Sequence, residues 1–158
     1  MSIIRYKGTD KLDISVFNNE CKFVIIGFLD QAKVDFLIGK FPALHDTLKK
    51  SSILLWEDRI KYTEKHKADF MKPEDFYKCL ERIPDIIEEP DFIGINPKDS
   101  SLQFIKRFSQ NILIAVRFNA DGKLSYRTLY PITDSQLSDY IRKKRAWEYR
   151  LDIREPIL

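Results

Sequence analysis

An imidazole set among ammonium groups is the strongest chemical signal in this chain. The run Arg59-Ile60-Lys61-Tyr62-Thr63-Glu64-Lys65-His66-Lys67-Ala68-Asp69-Phe70 carries one of only two histidines and reads as an exposed, basic helix. Histidine is the side chain that ordinarily titrates nearest neutrality, and neighbouring cations favour a bound anion. His66 is therefore suited to proton transfer on an anionic substrate. The plainer alternative is a solvated helix with an incidental histidine. At helical spacing Trp56, Ile60, Thr63 and Lys67 form one stripe, and Arg59, Tyr62 and His66 form the next. That puts His66 beside the buried face, where a side chain can border a cleft.

The other reactive residue types offer less. His45, between Leu44 and Asp46 at a helix turn, reads as structural. Cys21 and Cys79 are far apart and lack metal-ligand spacing, so neither a zinc site nor a disulfide framework is implied. Both read as small, partly buried hydrophobes. No metal and no cofactor is expected.

A second polar group lies late in the chain. If Asp121-Gly122 makes a two-residue turn, Ala120 faces Lys123, Arg117 faces Tyr126, Ala115 faces Thr128 and Leu113 faces Tyr130. Opposed residues share a sheet face, so Arg117, Tyr126, Thr128 and Tyr130 project together. A turn at Ser109-Gln110 sets Lys106 opposite Leu113 and adds it to that face. Lys106 and Arg117 would then hold phosphate oxygens while Thr128 and Tyr130 donate or orient. One extra residue in either strand flips the assignment and makes Arg127 the candidate cation. An amphipathic sheet with polar strand ends is the competing explanation.

The elements that must position these groups follow from periodicity. Residues 3–7, 12–17 and 21–28 read as three strands of a small N-terminal meander. Val34, Phe36, Leu37, Phe41, Leu44 and Leu48 take helical spacing, with Pro42 as a break. Residues 51–56 read as a strand or as the start of the His66 helix. Pro73, Glu74 and Asp75 open another helix, whose apolar face is Phe76, Cys79, Leu80 and Ile83. From residue 91 the pattern is a meander of four strands, 91–95, 102–107, 112–118 and 123–130, ended by Pro131. Thr133 and Gln136 stand in capping-box spacing at the start of a last helix. Arg142-Lys143-Lys144-Arg145 crosses its end, and the tail from 146 to 158 is expected to drape over the surface or contact a partner. The expected class is α+β in three parts: an N-terminal β-rich segment with a helix over 1–50, a main domain over 51–145, and the tail.

Composition sets the bounds. A length of 158 residues argues for one domain, or one domain with a small appendage, and 44% hydrophobic with 13% aromatic residues is enough for a packed core. The net charge of +3 permits a polyanionic partner without requiring one, so local clustering decides. No apolar run approaches the roughly 20 residues of a membrane span, and Met1 does not open a signal peptide. A cytoplasmic protein of a reducing compartment, with no membrane partner, is expected.

Five stretches together resemble a known group: KYTEKHKADF (61–70), IPDIIEEPDFIGI (83–95), FIKRF (104–108), ILIAVRF (112–118) and YRTLYP (126–131). They are similar to the Barnase–EndoU–colicin–RelE-like (BECR-fold) nucleases of phages and mobile elements, particularly the third phage subgroup, over about residues 52–145. The resemblance implies helices packed on a curved antiparallel four-stranded sheet and metal-independent cleavage of RNA. His66 falls on the family's helix histidine, and Thr128 and Tyr130 on its late-strand hydroxyls. Arg117 or Lys106 would be the basic strand residue. RNA contacts would come from Arg59, Tyr62, Lys65, Lys106 and Tyr126, with the two tyrosines stacking on unpaired bases. An antitoxin or immunity protein is the implied protein partner. Two other readings stand beside this one: an inactive RNA-binding or protein-interaction module using the basic helix and the 142–145 run, and a structural accessory protein with no nucleic-acid affinity.

Overall fold

The computed structural model describes residues 3–18, 20–119 and 121–149. In chain order these form β1 (Phe23–Leu29), α1 (Gln31–Lys40), β2 (Ser51–Trp56), α2 (Glu57–Thr63), α3 (Pro73–Glu81) and α4 (Ile83–Glu88). Then come β3 (Phe92–Ile95), β4 (Leu102–Arg107), β5 (Asn111–Phe118), β6 (Leu124–Ile132), α5 (Asp134–Arg142) and β7 (Ala146–Glu148). All seven strands join one mixed sheet in the order β1-β2-β6-β5-β4-β3-β7.

The α+β class holds, and the four-strand expectation is corrected to seven. Strands β3 to β6 are the expected antiparallel meander. Strands β1 and β2 pair antiparallel with each other. They attach to β6 through one short parallel junction, Ile53 with Leu124 and Leu54 with Ser125. At the far edge β7 pairs with β3.

The N-terminal meander is also corrected. Residues 12–17 do not form a strand, because Asp13 accepts hydrogen bonds from the Ser15 backbone N–H at 2.9 Å and its hydroxyl at 2.7 Å. That local bonding draws the backbone out of strand geometry, and Ile14–Val16 becomes one 3-10 turn. Of residues 3–7, Arg5 makes an isolated parallel bridge to Ile25. Ala120 and the tail beyond residue 149 lie outside the described residues.

Both sheet faces are covered. The larger core packs α1, α3 and α4 on one face, with Leu37, Phe76, Ile83, Ile87, Phe104 and Ile114 fully buried. In α3, Pro73 occupies the first turn with Glu74 and Asp75, and Phe76, Cys79 and Leu80 supply the buried i, i+3, i+4 face. On the other face Phe92, Ile105, Leu113, Ala115 and Ile132 meet Leu137 of α5. The reciprocal Thr133–Gln136 capping box starts α5 as its spacing predicts.

Two edges need special chemistry. Beyond Ser125 no strand of the described residues adjoins β6 on its β2 side, and α2 with its continuation Glu64–Asp69 lies along it instead. Arg59 donates from Nε and Nη2 to the Arg127 carbonyl at 3.0 and 2.6 Å, satisfying an acceptor of that open edge. The same edge tolerates Pro131 within the strand rather than at its end. At β3, a Cβ on Gly94 would sit 1.8 Å from the Arg145 carbonyl oxygen. The Ile95 N–H donates to that oxygen at 2.9 Å. Only glycine lets the chain entering β7 come so close.

Candidate active site

The β5–β6 register decides which side chains meet. Ala115 pairs with Thr128 and Leu113 with Tyr130, as the turn predicts. Nearer the turn the register is one residue off, with Arg117 opposite Ser125 and Val116 opposite Tyr126. Arg127 is the extra residue, a β-bulge, and side chains on either side of it change face relative to simple alternation. Two expectations are corrected, one by this register and one by that of β4 with β5. Tyr126 enters the main core with no exposed surface, where its hydroxyl is 2.8 Å from Thr63 Oγ1, so its ring cannot stack on a base. Lys106 pairs with Ile112 rather than Leu113 and so lies on the opposite face from Thr128 and Tyr130. Its Nζ donates to the Glu89 carbonyl at 2.8 Å and stands 3.7 Å from Asp85.

Burial raises the Tyr126 phenol well above its ordinary value, and the Thr63 bond opposes this only in part. Tyr126→Phe leaves the Thr63 hydroxyl buried and unpaired. We expect it to cost about 1–2 kcal/mol, read as a lower urea midpoint with an unchanged slope.

His66 meets Tyr130. Their ring centres are 5.2 Å apart at an interplanar angle of 36°. Residues 64–69 wind as a 3-10 helix, in which positions i and i+3 eclipse. Asp69 is thereby brought under His66, with Oδ2 2.8 Å from Nδ1. When Nδ1 carries the proton it donates to Asp69, and Nε2 is left with a lone pair. The His66 side chain is 22% exposed, so it borders solvent without projecting into it.

Tyr130 is half-buried, and its phenol is pushed up to about 12 by burial, with Tyr140 and Asp99 adding and Arg145 opposing. At neutral pH it is a protonated donor. The Arg145 guanidinium lies 4.2 Å over the Tyr140 ring. Thr128 stands one row from Tyr130, and its hydroxyl is buried without a partner, as is Gln103 Oε1 across Ala115 in the same row. Asp69, Arg145 and Gln103 were not singled out by sequence reasoning. The i, i+3 spacing of His66 and Asp69 was the available signal for the first. Arg145 was visible only as one of four consecutive cations.

The remaining candidates gather elsewhere. Arg117, opposite Ser125, is displaced along β6 from Tyr130 by five residues, roughly 16 Å of strand. Arg59 and Lys65 flank the exposed Tyr62 ring at 4.0 and 3.6 Å. The Tyr62 phenol is lowered by its hydrogen bond to Lys65 and by that ammonium's charge. Among the described residues no three His, Cys, Asp or Glu side chains gather as a metal site. No described helix is long and apolar enough to cross a membrane.

A family model described as phage-Barnase-EndoU-ColicinE5/D-RelE like nuclease3 matches residues 43–139, more than half of the chain. The chain belongs to this family. The span matched in this BECR-type nuclease includes His66, Asp69, Thr128 and Tyr130, and it leaves out β1, α1 and Arg145. Comparison with curated proteins and with solved structures gave no significant match. Membership makes nucleic acid the substrate class of the domain.

Proposed function

We propose that this nuclease cleaves RNA without a metal ion, using the ribose 2′-hydroxyl as the nucleophile. The His66–Tyr130 contact, backed by Asp69, carries this reading. His66 Nε2 takes the 2′-hydroxyl proton as the 2′-oxygen bonds to phosphorus. The P–O5′ bond breaks, and the leaving oxygen takes the Tyr130 phenolic proton. The His66 imidazolium then returns its proton to Tyr130. The products are a 2′,3′-cyclic phosphate and a 5′-hydroxyl. Arg145, whose charge already acts on Tyr130, stabilises the charged phosphorane, whereas the Thr128 hydroxyl has no exposed surface with which to reach a phosphate. Arg145 thus takes the electrostatic role first considered for Lys106 and Arg117.

The enzyme is read as a toxin of phage or mobile-element type, which calls for a cognate antitoxin or immunity protein. The test is incubation of the full chain with 5′-labelled RNA in excess chelator. Cleavage should persist and leave cyclic phosphate ends. Abolition by the chelator, or fragments ending in a 3′-hydroxyl and a 5′-phosphate, would refute the mechanism. Salt-sensitive binding without turnover would identify an RNA-binding module instead.

A further inference from the structure

A cleft of about 650 Å³ opens where β2 joins β6, lined by Trp56, Arg59, Ser125, Arg117 and Arg127 among others. Its size falls in the usual range for a small-molecule site. The first turn of α2 supplies two carboxylates, Glu57 and Asp58, against four cations, Lys22 and the three arginines. Arg59 is committed to the Arg127 carbonyl and to the Tyr62 ring. Among the described residues Arg117 and Arg127 form no side-chain ion pair within 4 Å, although the Arg127 charge acts on Asp99 and on the Tyr62 phenol. Arginines lining one cleft suit a phosphate, which each guanidinium can grip through two N–H donors.

The cleft also has an aromatic wall. Trp56 is 40% exposed although it packs on Phe23, with ring centres 4.8 Å apart. The packing fixes the ring, and the exposed part is available for stacking. The strand β6 runs from this cleft directly to Tyr130.

We propose that this cleft is a second nucleotide subsite, holding one unpaired base on Trp56 and its phosphate between Arg117 and Arg127. It lies roughly 10–16 Å along β6 from Tyr130, at about 3.3 Å per residue. The inference rests on the RNA reading above and names its substrate class: a single strand extending past the cleaved phosphate, because a paired base has no free face to stack. Arg127, the bulged residue, lines the cleft, and the register beyond it keeps Tyr130 in contact with His66.

The test uses the full chain carrying His66→Ala, so that RNA stays intact. A fluorescein-labelled single-stranded hexanucleotide is titrated and followed by anisotropy at several salt concentrations. Adding Trp56→Ala should weaken binding about tenfold, the usual loss of one base–aromatic stack, and Trp56→Phe should restore most of it. Adding Arg117→Gln should weaken binding and reduce the salt slope by about one phosphate contact. The same sequence as a duplex should bind more weakly. Wild-type-like binding by both the Trp56→Ala and Arg117→Gln proteins would overturn the subsite. If the two variants weaken binding but the parent protein never cleaves RNA, the subsite stands and the catalytic reading falls. If the parent cleaves while binding ignores both substitutions, the reverse holds.

Discussion

His66→Ala should lower RNA cleavage by roughly 10²–10⁴-fold, the usual contribution of a positioned general base. The substitution removes the one group in the proposed catalytic contact that can accept the 2′-hydroxyl proton, since burial keeps the Tyr130 phenol protonated at neutral pH. The fold should survive it. The lost ring contact with Tyr130 is worth only about 0.5–1.5 kcal/mol, and the surrounding 3-10 segment keeps its backbone bonds. A shift of a few degrees in melting temperature is therefore expected beside the catalytic loss. Asp69→Asn should give a smaller deficit, because it disturbs the tautomer and orientation of His66 without removing the base. Undiminished cleavage in His66→Ala would end the proposed mechanism.

Gly94→Ala should be among the most destabilising single changes in the chain, at about 3 kcal/mol or more. Replacing glycine by alanine inside a strand ordinarily helps. Here the added carbon meets a backbone oxygen, so no side-chain rotation relieves the clash. Either β3 moves or the segment entering β7 withdraws, with loss of the β3–β7 ladder and the Tyr149 N–H bond to the Asp91 carbonyl. Withdrawal would also carry Arg145 away from Tyr130. Urea unfolding of the Ala and Val variants measures this. A Gly94→Ala protein as stable as the parent would contradict the close approach.

Local pattern explains which parts were legible beforehand. The strand pattern from 91 to 130 and the Thr133–Gln136 spacing act over a few residues, and the structure follows both except at the Arg127 bulge. The parallel β2–β6 junction joins distant segments, and no local signal encodes it. Alternation at 12–17 was overruled by one aspartate, and β7 was too short to show a period. In the candidate site, the pairing of Thr128 and Tyr130 was predicted from a turn that is one residue off. The bulge at Arg127 cancels that error further down the strand. Tyr126 and Lys106 were misread where no such cancellation operates. The contact between His66 and Tyr130 depends on a helix filling the open edge of β6, which sequence spacing cannot express.

The order in which the chain is made gives the β2–β6 junction a further meaning. A ribosome releases His66 long before it completes β6, and until then the edge of β2 has no partner on that side. The helix carrying His66 likewise waits for the strand it packs on. The proposed acid–base contact is thus withheld from the growing polypeptide until nearly the whole sheet has been synthesised. On the proposed mechanism, a nascent chain of this design would not cleave RNA on the ribosome that is making it.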